Sequence, residues 1–462
     1  MPTPIERIDM VRDSTAEKIA LYLATIARNT GGVEMSGWKY VQSLVRTGLH
    51  KELIKVGDQF VIEKETAMTA RVGNVDPEGI PGITTASVTP LTFINKIGTA
   101  HSGDYEFEYD GAEWHFGGEA VDLTEYGITV AGTPVHGDVV IIHETAAQMR
   151  YVVLGIDQET PTDSQFEHSL TLGAVDVYAD MQFDAAEALF AFPDGLEAGT
   201  YHFTVAEHPW VAGDVGKTVQ FTIANAVAAD GVLVLGNAYN ATMIGSNAKI
   251  YASCASTTAA ETVALSEGSG GTDLGSVGNA VSGNTNSIQR ALLGSNRWST
   301  SALRQYLNSD AAAGTYWAPQ TKWDRPPSWV STANGFLYGL DPDLVAVLGK
   351  VNKVTGLNTV TDGGGTETTS EKVFLLSHTE AYCGGSEGTA YDYYKNYSDL
   401  TAPGGGADRN RIKRLNGSAK YWWLRSPNPS GAGTVRGIYP SGTLISDGAS
   451  YANGLVPACV IV

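Results

Sequence analysis

YWWLRSPNPSGAGTVRGIYPSGTLISDGASYANGLVPACVIV, Tyr421–Val462, decides how the rest of the sequence is read. A bulky run, Tyr421 to Leu424, is followed by Arg425 and then by small, polar and aromatic residues, and the stretch ends on an apolar tail. Converging His, Asp, Glu, Cys and Lys side chains, the usual marks of a catalytic centre, are nearly absent from it. The pattern predicts a rigid frame carrying an outward surface. Trp423 and Leu424 are placed in the core. Arg425 is expected to pin a loop, because its planar fork of five donors suits internal carbonyls. Downstream, Tyr439, Ser441, Thr443, Ser446, Asp447, Ser450, Tyr451 and Asn453 have the composition of an adaptable binding face, with Tyr for contact area and Ser and Asn for flexible hydrogen bonding. Read alone, the same residues are better described as the ordinary polar rim of a hairpin.

Working outward, 462 residues suggest about three domains, and 43% hydrophobic content supplies cores for them. Charged residues make up only 17% and glycine is abundant at 53, which favours short strands and many turns. A net charge of −20 argues against nucleic-acid binding and against an anionic membrane surface. No apolar run is long enough for a membrane-spanning helix, and the charged start MPTPIERIDMVRDSTAEK does not have the shape of a signal peptide. Synthesis in the cytoplasm is therefore expected. Cys254, Cys383 and Cys459 lie far apart with no CxxC pair, so neither a zinc site nor a disulfide framework is indicated.

Along the chain, Ile5, Ile8, Ile19, Leu23 and Ile26 predict a helix over 5–29, either an association helix or one packed on its own domain. A second helix is expected at Trp38–Thr47, and a strand at Gln59–Glu63 after the turn at Val56. Tyr105, Phe107 and Tyr109 alternate with Glu106 and Glu108 as in a half-buried strand. Tyr109-Asp-Gly-Ala signals a hairpin, and Val139–Ile142 is expected as the closing strand of a small all-β module. Arg150–Asp157 reads as a separate return to the earlier unit. Further strands are expected at Gly199–Val205, Val219–Ile223 and Gly231–Leu235. The Gly/Ser-rich stretch 264–286 is read as a long loop. Two short helices follow, Ile288–Gly294 and Ser301–Asn308, with Ser299 or Thr300 as N-cap, and Lys372–Ser377 is expected as a buried strand.

Three motifs stand in order in the C-terminal part. Asn296, Trp298, Ser301, Leu303, Arg304, Tyr306, Leu307 and Asn308 form an N-x-W-x-x-S-x-L-R-x-Y-L-N element. Lys372–Ser377 follows, and then Trp422–Pro427 with Val435, Gly442 and Gly454–Ala458. This arrangement resembles an uncharacterised domain common in bacteriophages and gut Firmicutes, and Gly37–Phe60 resembles the opening of such phage proteins. The sequence departs from that pattern at Leu455-Val-Pro, where an Arg usually precedes the proline. The ending is also similar to the C-type-lectin-like fold of phage tropism determinants and of formylglycine-generating enzymes.

The resemblance implies a mixed α+β and all-β, multi-domain chain. Residues 1–35 would form a helix for oligomerisation or anchoring. A lectin-like domain would be built from 36–68, 148–190 and 285–462, interrupted by two small β-sandwich-like modules at 69–147 and 191–284. Trp298, Arg304, Trp422, Trp423 and Arg425 would be structural, and the Tyr439–Asn453 set would become a ligand face. The implied function is a virion receptor-binding or tail-fibre protein. Its partners would be a bacterial surface protein or glycan and other virion proteins, and it would assemble as a homo-oligomer, with a trimer as the expectation. Diversification of the face by a retroelement would fit its composition. Alternatives are a capsid or tail decoration protein, and an enzyme on the formylglycine-generating fold. His378, Glu380 and Cys383 lie close in sequence but carry little for the enzyme reading, because catalytic partners meet in space. The oxidising Cys pair of that fold has no match. The tyrosines of Tyr391–Tyr397 could stack on a sugar or pack between loops. No catalytic residues, protein-bound metal or cofactor is expected. The acidic loop at Asp362 could supply oxygen ligands to calcium, but no EF-hand pattern is present.

Overall fold

The computed structural model describes residues 37–76, 79–98, 102–229, 232–236, 250–251 and 259–462. The helix expected over 5–29 and Cys254 lie outside them. The described chain is mixed and sheet-rich.

It opens with α1 (Gly37–Arg46), whose apolar stripe Val41, Leu44 and Val45 is buried, and α2 (His50–Leu53). Strand β1 (Gln59–Asn74) follows. The first module adds β2 (Ile83–Val88), α3 (Pro90–Ile97), β3 (Gly103–Tyr109), β4 (Trp114–Phe116), β5 (Glu119–Val121) and β6 (Ile128–Gly132), then β7 (Asp138–Ile156). The expected all-β module thus contains a helix. Pro90 sits in its first turn, Gly98 ends it in the left-handed region, and Phe93 and Ile94 anchor it, a combination that follows standard helix boundary chemistry. The closing strand expected at 139–142 and all but the last residue of the return expected at 150–157 belong to one continuous strand, β7, which ends at Ile156. Nothing in His143–Met149 breaks a strand; the stretch loses its apolar alternation because its residues are exposed or half-buried, apart from Glu144, which is buried and accepts from Tyr105 OH at 2.8 Å.

Strand β7 pairs with β1 from Gln59↔Val152 to Asn74↔Asp138, with one register shift between Glu65 and Ala67. At one end of this ribbon β7 pairs with β3 and helps to cover an aromatic core of Phe93, Tyr105, Phe107 and Tyr126. At the other end it pairs with β8 (Leu170–Ala174) and enters the main core. Its middle, 145–150, is exposed or half-buried. The boundaries placed at 68/69 and 147/148 therefore fall at a waist inside continuous strands rather than in linkers.

After β8 and β9 (Ala179–Gln182), the second module comprises β10 (Gly199–Val205), β11 (Thr218–Ile223), β12 (Val232–Gly236), β13 (Ile250–Tyr251), β14 (Ala259–Ala264), β15 (Ser266–Glu267) and β16 (Thr272–Val277). These form a four-stranded and a three-stranded sheet around Tyr201, Phe203, Val219, Phe221, Leu233 and Leu235. The expected 264–286 loop holds two of these strands. β16 pairs in parallel with β10 despite its glycines, because backbone pairing alone orders its largely exposed residues.

The C-terminal part contains α4 (Ile288–Leu293), α5 (Ala302–Leu307), α6 (Pro342–Val347), β17 (Val351–Gly356), β18 (Thr366–Glu371), β19 (Val373–Phe374), α7 (Asp392–Asn396), and the hairpin β20 (Lys413–Leu415) with β21 (Ser418–Lys420). Strands β22 (Trp422–Pro427), β23 (Thr434–Ile438), β24 (Leu444–Gly448), β25 (Ala452–Leu455) and β26 (Ala458–Ile461) complete it. A five-stranded sheet runs β24-β23-β22-β25-β9, while β26 joins β8 and β19 in the larger sheet. One hydrophobic core gathers Val41–Ile62, Tyr151–Phe183 and Trp298–Val462. The N-cap of α5 is Ser301, whose hydroxyl accepts from Arg304 N, rather than Ser299 or Thr300. Only Val373 and Phe374 of the expected Lys372–Ser377 strand are paired as strand, although Leu375, Leu376 and Ser377 are equally buried.

At the tip of the first module, fully buried Asp138 accepts from the backbone of Val135 (3.0 Å), Gly82 (3.0 Å) and Ile83 (3.2 Å), and from Asn74 Nδ2 (3.1 Å). Asp138→Ala leaves these donors without their acceptor. Only the Ile83 N–H among them is fully buried; at about 1–3 kcal/mol for such an orphan, with smaller losses at the part-buried donors, the substitution should lower the module's stability by about 3 kcal/mol. Proteolysis kinetics at 75–82 and 133–137 should report this as cleavage more than tenfold faster, and unchanged cleavage would contradict the assignment.

Candidate functional site: an ionic frame and a tyrosine-bearing face

The three sequence motifs interlock. Trp298 is buried and its indole N–H donates to Glu371 Oε1 (3.2 Å); Arg304 Nε reaches the same oxygen at 2.6 Å, and Asn308 Nδ2 donates to Oε2 at 3.1 Å. Asn308 also brackets the second motif: its amide oxygen accepts from Lys372 N and Val373 N, and its Nδ2 donates to Val373 O. Asn296 donates to the carbonyls of Gly431 (2.6 Å) and Thr434 (2.9 Å), fixing the loop between β22 and β23. Leu303, Tyr306 and Leu307 fill the core between them.

At the centre lies Arg425. It is fully buried and all five of its N–H groups are used. Nε donates to Thr355 Oγ1 (3.0 Å), Nη1 to Leu375 O (2.7 Å) and Glu380 Oε2 (2.5 Å), and Nη2 to Val354 O (3.1 Å) and Glu380 Oε1 (2.7 Å). The alternation of β17 turns Lys353 to the same interior. Its ammonium contacts Glu380 Oε1 (2.7 Å), Glu159 Oε1 (2.7 Å) and Tyr391 OH (3.0 Å), and lies 4.1 Å from the centre of the Phe374 ring. Burial alone would raise the Glu380 carboxyl; Arg425 and then Lys353 outweigh it and hold it at about 2.

Beside this node, Ser426 Oγ donates to Glu387 Oε2 (2.5 Å), and His378 Nδ1 lies 3.0 Å from Ser426 Oγ and 3.4 Å from Glu387 Oε1. In a nucleophilic triad the serine and the acid meet opposite nitrogens of the histidine. Here both lie on Nδ1, and Ser426 is buried and also accepts from His378 N. The three groups lock a loop. Cys383 is buried against Arg411, and burial pushes its thiol up to about 11 despite that guanidinium; burial pushes Cys459 up to about 12. Neither thiol is poised as a thiolate at neutral pH.

The face expected at Tyr439–Asn453 is rearranged. Tyr439 (42% exposed) and Tyr451 (52%) lie at opposite ends of β24, which is the edge strand of its sheet. Ser446 and Asp447 are neighbours on that strand and so point to opposite sides. Ser446 Oγ accepts from Arg436 Nη1 (3.0 Å) on one side. On the other, Asp447 Oδ2 accepts from Asn453 Nδ2 (3.0 Å). Asn453 is itself buried, because β25 lies between β22 and β9; it orients Asp447 rather than facing outward. Ser441 and Thr443 share a hydroxyl contact at 2.9 Å in the turn after β23. Gly442 there has φ +82°, and a Cβ on it would lie 2.0 Å from Asp408 O. Ser450 is half-buried, with its carbonyl taken by Gln182 Nε2 at 2.6 Å. Tyr421, read earlier only as part of the bulky run, joins the group. Its ring meets Tyr439 edge-on with centroids 4.5 Å apart, and its hydroxyl is raised by desolvation, by its hydrogen bond with Tyr439 and by the charge of Asp447. Tyr421, Tyr439 and Asp447 therefore form one patch, backed by Asn453.

Other expectations resolve as packing. Trp422 and Trp423 donate to Arg411 O (2.7 Å) and Met181 O (2.8 Å) from within the core. Tyr391 and Tyr394 are buried, and only Tyr397 of that cluster is well exposed. Asp362 is engaged by Arg290 (2.7 and 2.8 Å) and Asn358 (2.6 Å), which leaves little for a cation. Among the described residues no group of three or more His, Cys, Asp or Glu side chains is placed to hold a metal ion, and no helix is long and apolar enough to cross a membrane.

Residues 276–462 match the family model described as "Domain of unknown function (DUF6273)". That span contains all three motifs. No curated protein and no solved structure matches the chain.

Because the Glu380 carboxyl is held near 2 in the folded protein against about 4.5 unfolded, its contribution to stability is complete above pH 4.5 and is lost as pH falls toward 2. Glu380→Gln should weaken that dependence and, by leaving Arg425 and Lys353 short of a counter-charge, cost about 3–5 kcal/mol at pH 7. Denaturant unfolding at stepped pH measures both.

Proposed function

We propose that the chain is a receptor-binding protein of a bacteriophage particle, and that its C-terminal domain, with a C-type-lectin-like fold, presents the Tyr421–Tyr439–Asp447 patch to a bacterial surface glycan or protein. The observation that carries this reading is the half-exposed, edge-on tyrosine pair beside a carboxylate already oriented by Asn453. Rigid aromatic area costs little entropy on binding, and a pre-aimed acceptor adds direction. No bond is made or broken in this role. Weak single contacts would be multiplied by assembly of several copies, a trimer in this proposal, with the two β modules spacing the face from the particle. Phage origin and the lectin-like fold rest on the motif resemblance.

A decoration protein that only packs on neighbours is the second reading. It draws on β24 being an edge strand, a ready template for pairing with another chain.

Labelled full-length protein should bind a subset of a panel of Gram-positive gut bacteria. Tyr439→Ala should reduce that binding at least tenfold with the melting temperature unchanged, and Tyr451→Ala should reduce it less. Binding to no member of the panel, or equal binding by Tyr439→Ala, would overturn the proposal. Particles that fail to assemble with the Tyr439 variant would favour the decoration role.

A further inference from the structure

The five-stranded sheet has a second edge at β9, away from the tyrosine patch. There, the residues leading into β9 (176–178), the outer stretch of β7 (147–150) and the β20–β21 turn enclose a cleft of about 520 Å³, within the roughly 300–1,000 Å³ range of small-molecule sites. Its wall is stiff. Leu415↔Ser418 pairing leaves Asn416-Gly417 as a two-residue turn with both φ values positive, 49° and 82°, as a type I′ hairpin requires. Tyr178, on the opposite wall, is packed edge-on against Phe336 at 5.5 Å and hydrogen-bonded to Tyr306.

The electrostatics of the cleft run against those of the chain. On a sequence of net charge −20, the cleft is lined by Arg150 and Arg414, with Asp176 as the one carboxylate in its lining. Arg150 meets Asp176 at 2.6 Å, but both side chains are about half exposed, and such pairs are worth only about 0–1 kcal/mol. An incoming anion can exchange with it. Among the described residues the guanidinium of Arg414 makes one hydrogen bond, to the neutral carbonyl of Gly417 at 2.8 Å, so most of its planar fork is available for an oxyanion. Lys413, the preceding residue, turns inward and donates to Ala174 O at 2.7 Å, adding a further cation close to the cleft. Met149 and Val177 supply apolar wall.

We infer that this cleft binds a small organic oxyanion, a carboxylate or a phosphate ester, with its charged group on Arg150 and Arg414 and its carbon body against Met149 and Val177. The site is separate from the tyrosine patch and does not depend on the proposal made for it.

Calorimetric titration of the full chain with glucuronate, glycerol 3-phosphate, inorganic phosphate and glucose tests this. At least one of the two organic anions should bind tenfold or more tightly than glucose and more tightly than inorganic phosphate, which separates an organic ligand from the free ion; which of the two binds better identifies the anionic group. Arg414→Gln should weaken that binding about tenfold, Asp176→Asn should strengthen it, and Tyr439→Ala should leave it unchanged. Arg414 is exposed and the Asp176 side chain is about half exposed, so circular dichroism of both variants should match the parent. The inference is overturned if neither organic anion outbinds glucose, if inorganic phosphate binds as tightly as the organic anions, or if Arg414→Gln has no effect.

Discussion

The structure depends on a buried guanidinium whose every donor is engaged. Arg425 joins β17, the stretch after β19, the Glu380 loop and β22, four segments spread over about 75 residues of chain. Replacing such a pair with hydrophobic residues is often harmless to stability, so its role here is better described as selection. With Arg425, Lys353, Glu380 and Glu159 confined to one interior, only an arrangement that brings the four charges together avoids leaving one of them unpaired. The indole anchors of Trp422 and Trp423 and the Glu371 junction of Trp298, Arg304 and Asn308 then hold the surrounding strands in register.

That frame explains why the neighbouring surface can carry unusual residues. The turn after β23 is held by its own backbone bonds and by the close approach of Gly442 to Asp408. Tyr439 can therefore remain exposed without being needed for folding. The same sheet ends at β9 in a cleft with stiff walls and surplus positive charge. The tyrosine patch and this cleft both draw their rigidity from elements that are themselves buried elsewhere.

Much of this was legible in the residues. The period-two pattern of Tyr105, Phe107 and Tyr109, the turn at Asp110-Gly111 and the apolar stripe of α1 have local causes, and the structure has the corresponding strand, hairpin and helix. The role of Arg425 as an internal pin follows from its place between bulky apolar neighbours. Lys353 was missed, although Val351, Lys353 and Thr355 share the buried face of one strand and a lysine there needs a counter-charge. The patch was only partly legible. Composition marked Tyr439 and Asp447, but strand pairing decides which residues face outward. The position of β25 between two neighbours turned Asn453 inward, and the β24 register separated Ser446 from Asp447. The helix α3 and the strand β16 were hidden for a similar reason, since one short anchor pair and one backbone ladder leave little periodicity to read.

Native-state hydrogen exchange on the full chain tests the division between frame and face most directly. The Arg425 amide, bonded to Leu376 O at 2.9 Å, should exchange only through global unfolding of the C-terminal domain, together with the amides of β22. The amides of residues 439–443 and of Tyr451 should exchange through local opening, orders of magnitude faster. Exchange of the Arg425 amide at the rate of the Tyr439 turn would contradict the account, because the segments joined at the buried ionic node would then not form a frame more protected than the face.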